Sequence, residues 1–312
     1  MNVLITGANG FIGNAIALHL ANCEGYSIRV AVRKSTKSFP SSVQVYENMD
    51  LLGKTDWRHA LRDVDVVIHC AASAHMVNGG SKGVVSNLME VNVDGTSNLA
   101  HQAALNGVKR FIFISTLAIH GAETLLRPFS VDDDPQPQTD YAQSKLAAEI
   151  KLMEISHASG MAFVVIRPPL VYGPNAPGKF GMLVRCLNRR IPLPLGKIKN
   201  KKSFVFLYNL VDLVICCIEH PNAINQVFLV SDDEDISTTQ LVVKIGIALK
   251  KPALFLPFTA FLWGMAVIIF SKSKLPQQLL GSLQVDMEKT KSTLKWRPPF
   301  NVDEAIRKTI DG

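Results

Sequence analysis

Residues 6–13 read Thr-Gly-Ala-Asn-Gly-Phe-Ile-Gly, and they follow the apolar run Val-Leu-Ile at residues 3–5. A short apolar run, glycines three residues apart and a second apolar run predict a strand, a turn and a helix. We expect Gly7 to permit the tight turn, Gly10 to let the backbone approach a ligand and Gly13 to let the helix pack closely. Because the start of such a helix offers free N–H groups to phosphate, the pattern predicts a dinucleotide site. The alternative is an ordinary strand-to-helix turn.

Strand and helix patterns alternate along the first half of the chain. Short apolar runs predict strands at Val3–Thr6, Ser27–Val32, Val43–Val45, Val66–Cys70, Arg110–Ser115 and Phe163–Arg167. Helical patterns lie between them, near residues 14–22, 55–62, 83–106 and 140–159. This order predicts an α/β fold, a Rossmann-like doubly wound parallel sheet with helices on both faces.

The alternation fades after Arg167, where prolines interrupt the chain. We expect residues 1–170 to form a nucleotide-binding domain. Residues 171–312 should form mainly a smaller C-terminal substrate lobe, with some chain returning to the sheet.

Composition predicts a folded protein of a reducing compartment. Of the 312 residues, 47% are hydrophobic and 19% are charged, which excludes global disorder. The five cysteines show no CxxC spacing, as expected for free thiols. Since the first residues already form a core strand, we expect no secretory signal and a cytoplasmic protein. The eight histidines show no metal-ligand spacing, so we predict no metal.

The net charge of +7 is partly clustered in two groups, Arg185, Arg189 and Arg190 and then Lys197, Lys199, Lys201 and Lys202. No recognition-helix or aromatic-basic pattern accompanies these clusters. We therefore predict a small anionic substrate rather than nucleic acid, with a solvated basic face as the alternative.

Residues 252–271 carry no charge and are flanked by lysines on both sides. That length could cross a bilayer, but Pro257 and Gly264 weaken a single helix there. We expect an apolar helix packed on the second lobe. Peripheral contact with the inner face of the membrane is the alternative.

Three residues with hydroxyl, phenol and ammonium groups predict proton transfer. Tyr141 and Lys145 are four residues apart in a helical pattern, so both side chains share one face. A neighbouring ammonium and an oxidised nicotinamide ring both favour the phenolate. Thr116 follows a strand at the edge where parallel sheets bind ligands, and it could hold a carbonyl or alkoxide there. Together the three groups predict a proton relay beside a hydride transfer. Taken alone, Tyr141 and Lys145 would be an incidental pair on an exposed helix, and Thr116 would be a helix cap or a strand-end hydroxyl.

Further motifs accompany this set along almost the whole chain: Asp50-Leu51, Ala71-Ala72, Asn92 within Val-Asn-Val-Asp-Gly-Thr, Arg167-Pro168-Pro169, Tyr172-Gly173-Pro174, Ser282-Leu-Gln-Val-Asp286 and Trp296-Arg-Pro298. With the glycine turn and Tyr141…Lys145, they resemble the extended short-chain dehydrogenase/reductase family, the NAD(P)-dependent epimerases and dehydratases of nucleotide sugars. Within that family the chain is similar to UDP-sugar 4-epimerases and 4-keto reductases of bacterial polysaccharide synthesis. The resemblance is specific for the family and much less so for the substrate.

The resemblance implies roles for individual residues. It makes Thr116, Tyr141 and Lys145 catalytic, and it makes Thr116, Asn175 and Lys202 substrate contacts. Relatives carry arginine where Lys202 stands; lysine keeps the positive charge but loses the bidentate geometry. Cofactor contacts are implied for Gly7, Asn9, Gly10, Phe11, Ile12, Gly13, Asp50, Leu51, Ala71, Ala72, Ser115, Tyr141, Lys145 and Pro168. By the same analogy the helices near 83–106 and 140–159 would pair two subunits in a homodimer.

Two departures from the family pattern narrow the function. The second predicted strand ends in Val-Ala-Val-Arg-Lys at residues 30–34, without the acidic residue of NAD-preferring relatives. Arg33 could bind a 2′-phosphate, which favours NADP over NAD; the alternative is that Arg33 stacks over the adenine. Leu117 and Ala118 stand where sugar 4,6-dehydratases carry an Asp-Glu pair, so dehydration is not expected.

We therefore predict an oxidoreductase that uses NADP (or NAD) at C4 of a nucleotide-diphosphate sugar. The first hypothesis is reduction of a UDP-4-keto-6-deoxy-N-acetylhexosamine, with Tyr141 as the proton donor. The alternative is a UDP-glucose or UDP-N-acetylglucosamine 4-epimerase, which would use the same side chains. A non-catalytic NADP-binding sensor and an enzyme acting on a lipid-linked sugar diphosphate are further alternatives.

Overall fold

The computed structural model describes residues 1–73, 87–256 and 280–312. Seven parallel strands form the main sheet: β1 (Asn2–Thr6), β2 (Ser27–Ala31), β3 (Gln44–Tyr46), β4 (Val66–His69), β5 (Arg110–Ile114), β6 (Ala162–Arg167) and β9 (Gln226–Leu229). Their order across the sheet is β3-β2-β1-β4-β5-β6-β9. Two further strands, β7 (Leu170–Tyr172) and β8 (Phe204–Phe206), pair with each other in parallel.

The described helices are α1 (Phe11–Ala21), α2 (Arg58–Leu61), α3 (Thr96–Leu105), α4 (Asp140–Ser159), α5 (Gly178–Asn188), α6 (Leu207–Glu219), α7 (Thr238–Ala248), α8 (Glu288–Leu294) and α9 (Val302–Asp311). A π-helical turn at Glu90–Gly95 leads into α3. Two 3₁₀ turns occupy Leu117–Ile119 and Pro221–Ala223. None of the helices in these described ranges has the length and apolar character needed to cross a membrane.

The central strands β1, β4, β5 and β6 are buried on both faces, which is why they are almost continuously apolar. Side chains alternate between the faces: Val3 and Ile5 pack with helices α1 and α6, whereas Leu4 packs with α3 and α4. Phe111 and Phe113 of β5 lie on the same side as Leu4, and both are completely buried.

The predicted Rossmann-like parallel sheet is confirmed, and the ends of its six predicted strands differ from the observed ones by at most one residue. Helix α1 begins at Phe11 rather than residue 14, because the glycine turn leads directly into it. The helix predicted at 55–62 is only the four residues Arg58–Leu61. The pattern at 83–106 contains the π-helical turn, and its first residues lie outside the described ranges.

A third hydrophobic cluster lies in the second half of the chain, around Tyr172, Phe206 and Ile306. It joins β7 and β8 to α5, α7 and α9. β9 lies beside β6 as the outer strand of the main sheet. The division at residue 170 remains a prediction, and of the uncharged run 252–271 only residues 252–256 are described.

Candidate active site

The glycine turn between β1 and α1 has no room for a side chain at Gly7 or at Gly13. Gly7 has a left-handed backbone with φ +73°, and a Cβ there would lie 2.6 Å from the backbone nitrogen of Ala71. A Cβ on Gly13 would lie 2.4 Å from the carbonyl oxygen of Gly7, so the helix packs directly on the turn. Gly10, the N-cap of α1, provides no side-chain acceptor for the first-turn N–H groups. The turn therefore fits a diphosphate group.

Asn9 connects this turn to the loop that follows β2. Its side-chain nitrogen donates to the carbonyl of Lys34 at 2.8 Å, and its side-chain oxygen accepts from the backbone of Thr36 at 3.3 Å. Arg33 precedes Lys34 and is exposed. Asn9 thus holds the loop that carries Arg33 against the glycine turn.

The remaining predicted cofactor contacts lie on loops at the same edge of the sheet. Asp50 is exposed and Leu51 is buried beneath the π-helical turn, where a Cβ on Gly95 would lie 2.7 Å from the Leu51 carbonyl oxygen. Ala71 and Ala72 are partly buried and follow β4. Phe11 and Ile12 are the first two residues of α1. Ile12 packs against the hydrophobic cluster that contains Val3 and Ile5, and Phe11 packs against the cluster around Tyr172.

Lys145 of α4 is buried and reaches the end of β5. Its ammonium donates a hydrogen bond of 2.7 Å to the carbonyl oxygen of Ile114 and lies 3.9 Å from the centre of the Phe113 ring. Burial lowers the pKa of Lys145 from its ordinary 10.5 to about 7, although Glu149 and Cys70 act in the opposite direction. Its proton can therefore be lost or kept near neutral pH.

Tyr141 lies one turn before Lys145 and is half-buried. Burial raises the pKa of the Tyr141 phenol above its usual value. This direction is opposite to the lowering that the sequence pattern predicts, because removing the phenolate from water costs free energy. A positive charge beside the phenol is needed to offset that cost.

Thr116 and Ser115 directly follow β5. Thr116 caps the 3₁₀ turn, accepting at its hydroxyl from the backbone of Ala118 at 3.2 Å, as the alternative interpretation proposed. The hydroxyl proton is still available for a second hydrogen bond. The hydroxyl of Ser115 is buried without a partner among the described residues. The carbonyl of Pro168 accepts from the backbone of Leu117 at 2.9 Å, which joins the loops after β5 and β6.

Asn92 is a buried member of this site whose role the sequence did not indicate. Its side chain exchanges two hydrogen bonds with the backbone of Ser73, at 2.7 and 3.0 Å, and donates to the hydroxyl of Ser144 at 2.9 Å. It therefore links the loop after β4 to α4, one residue before Lys145. The family-like Val-Asn-Val-Asp-Gly-Thr motif was the signal that could have identified it.

His69 at the end of β4 is held between two hydroxyl groups. Its Nδ1 lies 2.6 Å from Thr6 Oγ1 and its Nε2 lies 2.9 Å from Thr96 Oγ1. Burial, with a smaller effect of the Lys145 charge, lowers the pKa of His69 well below its ordinary value. The neutral ring joins β1, β4 and the start of α3 beneath the site. Thr6 and Thr96 are 63 and 27 residues from His69, so no local sequence pattern indicates these contacts.

The predicted substrate contacts lie in the second half of the chain. Asn175 is exposed and has a left-handed backbone with φ +57° in the turn after β7. A Cβ on Gly173, in the same turn, would lie 3.5 Å from the ring of Phe11, so this turn lies beside the start of α1. Lys202 is partly buried.

Lys179 is a second cation near Lys202 that the sequence analysis did not single out. Burial and, to a lesser extent, the charge of Lys179 lower the pKa of Lys202 to about 8. Burial also lowers the pKa of Lys179. Lys179 lies four residues after Asn175, at the start of α5, and this position was the sequence signal that could have identified it as a substrate contact. Within the ranges that the structure describes, no three His, Cys, Asp or Glu side chains are placed to hold a metal ion.

Comparisons with known proteins agree with this architecture. The NAD dependent epimerase/dehydratase family model matches residues 3–231. UDP-glucose 4-epimerase of Vibrio cholerae is 41% identical over 310 residues, which are 99% of this chain and 94% of that protein. The N-acetyl-α-D-glucosaminyl-diphospho-ditrans,octacis-undecaprenol 4-epimerase of Escherichia coli O157:H7 is 26% identical over 291 residues, covering 91% of this chain and 84% of that protein.

Among solved structures, UDP-glucuronic acid 4-epimerase from Bacillus cereus in complex with NAD has the same fold. The TM-score is 0.80 at 20% identity, over 100% of this chain and 98% of that chain. From the family match and the extensive identity to the Vibrio relative, we conclude that the chain is an NAD(P)-dependent enzyme and belongs to the NAD-dependent epimerase/dehydratase family.

Proposed function

We propose that the protein is a UDP-hexose 4-epimerase, which interconverts the two configurations at C4 of UDP-glucose or UDP-N-acetylglucosamine. The observation that carries the proposal is the 41% identity to the Vibrio UDP-glucose 4-epimerase over almost the whole length of both chains. Reduction of a 4-keto sugar, the first hypothesis from the sequence, remains a prediction. It uses the same side chains, so the two reactions must be distinguished by measuring whether NAD(P)H is consumed.

Each side chain has a definite task in this proposal. Bound NAD(P) supplies the hydride acceptor and donor for C4. Tyr141 takes the proton of the C4 hydroxyl and later returns it to the same oxygen, while the Thr116 hydroxyl holds that oxygen. The Lys145 ammonium offsets the cost of a buried phenolate. Lys179 and Lys202 bind the sugar diphosphate, whose negative charge also supports protonation of Lys202.

The reaction test is incubation of the purified protein with UDP-glucose and with UDP-N-acetylglucosamine, with product separation and nicotinamide absorbance followed together. We expect the C4 epimer to form without net consumption of NAD(P)H. Consumption of one NADPH for each molecule of a 4-keto sugar, with no epimerisation, would establish the reductase instead. Cofactor binding without turnover of either substrate class would favour a sensor.

We propose NADP or NAD as the cofactor, with Arg33 favouring NADP. The absence of a carboxylate at residues 30–34, where β2 ends and the next loop begins, supports this choice. The structure of the Bacillus cereus protein contains NAD. Equilibrium binding of both cofactors to the same preparation decides between them.

A homodimer through α3 and α4 is part of the same proposal. Leu105 on α3 and Ile150 on α4 are 74% and 48% exposed, although both are large apolar side chains. The two helices pack side by side, and each carries one of these exposed side chains. Light scattering at several concentrations, compared with an Ile150→Glu variant, tests the dimer.

A lipid-linked sugar diphosphate is the second candidate substrate. Residues 155–211 and 236–285 contain no Asp or Glu, so the rest of the chain, with 19 basic and 26 acidic residues, is acidic. Leu254 and Leu256 are each 46% exposed in this basic part of the sequence. An anionic membrane surface attracts such a combination. Epimerisation of the lipid-linked substrate in detergent, together with membrane recovery that is lost at high salt, would favour this candidate.

A further inference from the structure

A buried ion pair lies one helical turn beyond Lys145. Arg167, at the end of β6, places its Nη2 at 2.6 Å from Oε2 of Glu149 on α4, and its Nε lies 3.2 Å from both carboxylate oxygens. The side chains are 7% and 1% exposed, respectively. Because bulk water reaches neither group, removal of one partner leaves the other charge uncompensated.

The carboxylate of this pair also acts on the catalytic amine. Glu149 follows Lys145 by four residues on the same helix, so both side chains point to the same side. Burial favours the neutral amine of Lys145, and Glu149 is the larger of two neighbours that favour the ammonium, ahead of Cys70. The positive charge of the Arg167 guanidinium offsets much of the electrostatic effect of that carboxylate on its surroundings. Arg167 therefore limits how strongly Glu149 can hold the proton on Lys145.

Four further titratable groups that lie near Lys145 or contact Arg167 are neutral near pH 7. Burial lowers the pKa of His120 to about 4 and that of His69 well below its ordinary value, and it raises the pKa of Cys70 to about 12. Burial likewise raises the pKa of Tyr141. Asp133 is the further acid that acts on His120, and it also forms an ion pair with Arg127 at 2.5 Å.

His120 contacts the pair as an acceptor. Its Nε2 lies 2.9 Å from Nη1 of Arg167, and a guanidinium can only donate. The proton of the neutral ring therefore sits on Nδ1, which is buried without a partner among the described residues. Near neutral pH the charged side chains in direct contact here are thus Glu149 and Arg167, with Lys145 one turn away.

We propose that Glu149 and Arg167 are positioning residues that set the charge of Lys145, the carboxylate holding the proton on the amine and the guanidinium moderating that effect. This inference rests on the proposed role of Lys145 beside Tyr141. It differs from a purely structural ion pair in one respect. Loss of the carboxylate and loss of the guanidinium must shift the pH at which Lys145 loses its proton in opposite directions.

The first test is the pH dependence of epimerisation in two single variants. In Glu149→Gln, Lys145 loses its proton at lower pH, so the alkaline fall in kcat/KM moves down by about one pH unit. In Arg167→Gln, the unpaired carboxylate keeps the proton on Lys145, and the same fall moves up. KM for the UDP-sugar should change less than threefold in both, since neither residue contacts substrate in this proposal.

A matched control is available on the same helix. Lys151 and Glu154 of α4 form an exposed ion pair at 2.9 Å. Lys151→Gln and Glu154→Gln should leave the alkaline fall unchanged. Movement of the fall in the same direction in Glu149→Gln and Arg167→Gln, or in neither, would overturn the proposal.

The second test needs no substrate. Since the pKa of Lys145 is about 7 when folded and 10.5 ordinarily, the unfolded chain binds more protons between these values. The free energy of unfolding should therefore rise with pH across that window. In Glu149→Gln the rise should begin at lower pH, and in Arg167→Gln at higher pH. If these shifts occur while UDP-sugars are not epimerised, the proposed function fails and the inference about the pair stands.

A double variant covers the case in which the single variants do not fold. Glu149→Gln with Arg167→Gln leaves no unpaired buried charge. Glu149 is on the same helix as Lys145 and acts on it more strongly than Arg167 does. In the double variant, therefore, both the alkaline fall in kcat/KM and the rise in unfolding free energy should occur at lower pH than in the wild type. Unchanged readouts in the double variant would overturn the proposal.

Discussion

The side-chain amide of Asn92 donates a hydrogen bond of 2.9 Å to the hydroxyl of Ser144, the residue that precedes Lys145. Asn92 lies in the π-helical turn at Glu90–Gly95 and is 1% exposed. Such turns often occur at functional sites. Here the amide of Asn92 reaches both α4 and the backbone of Ser73.

Replacement of Asn92 by alanine should lower both stability and turnover. The change leaves the partly buried backbone N–H and C=O of Ser73 without these partners and removes the buried hydrogen bond to Ser144, which together cost about 1–3 kcal/mol of unfolding free energy. It also releases the loop after β4 from α4, so kcat should fall while the fold is retained. Denaturant unfolding and steady-state kinetics measure the two effects. Asn106→Ala is the control, since Asn106 is exposed and bonds only within its own helix. Equal behaviour of the two variants would contradict the linking role of Asn92.

Gly13→Ala should weaken cofactor binding through a displaced turn. Its Cβ would lie 2.4 Å from the Gly7 carbonyl oxygen, so the turn or α1 must move. Overpacking of this kind costs about 1–3 kcal/mol, and we expect at least a tenfold rise in Kd for NAD(P), measured by calorimetry. In the control Gly53→Ala, the new Cβ would lie 3.4 Å from the Asp94 Cβ and 4.0 Å from the Asp94 carbonyl oxygen, which are ordinary contacts. Unchanged affinity in Gly13→Ala would exclude the turn as the diphosphate site.

Local patterns were sufficient to predict six of the seven strands of the main sheet, whereas β9 was expected only as some chain returning to the sheet. The centres of β1 and β5, Val3–Ile5 and Phe111–Ile114, are apolar throughout, because each strand is buried on both faces. The glycine spacing at residues 7–13 and the Tyr141–Lys145 spacing are also local, so both were visible in the sequence.

Contacts between distant positions could not be predicted in this way. Glu149 and Arg167 are 18 residues apart, and His69 joins Thr6 and Thr96 across 63 and 27 residues. The direction of the Tyr141 pKa also depended on burial, which spacing does not reveal. Pairing of this kind is set by the strand order, in which β4 lies between β1 and β5.

Tyr141→Phe should abolish turnover and leave cofactor binding intact. The change removes only the phenolic oxygen, and we expect a fall in kcat of at least 10²-fold, as for loss of a general acid–base group. The affinity for NAD(P) and the unfolding midpoint should stay close to those of the wild type. Tyr208→Phe is the matched control, because Tyr208 is 39% exposed on α6. Retained activity in Tyr141→Phe would exclude this phenol as the proton-transfer group.

Arg33→Ser tests the choice between NADP and NAD. Arg33 is exposed directly after β2, on the loop that Asn9 holds through the carbonyl of Lys34. If its guanidinium binds a 2′-phosphate, the variant loses a charge-assisted contact, and Kd for NADP should rise about tenfold, or ~1.4 kcal/mol. The Kd for NAD should change less than twofold. Arg62→Ser, with an 84% exposed side chain, controls for the loss of a surface charge. An equal rise for both cofactors would place Arg33 over the adenine, and no rise for NADP would remove the argument for that cofactor.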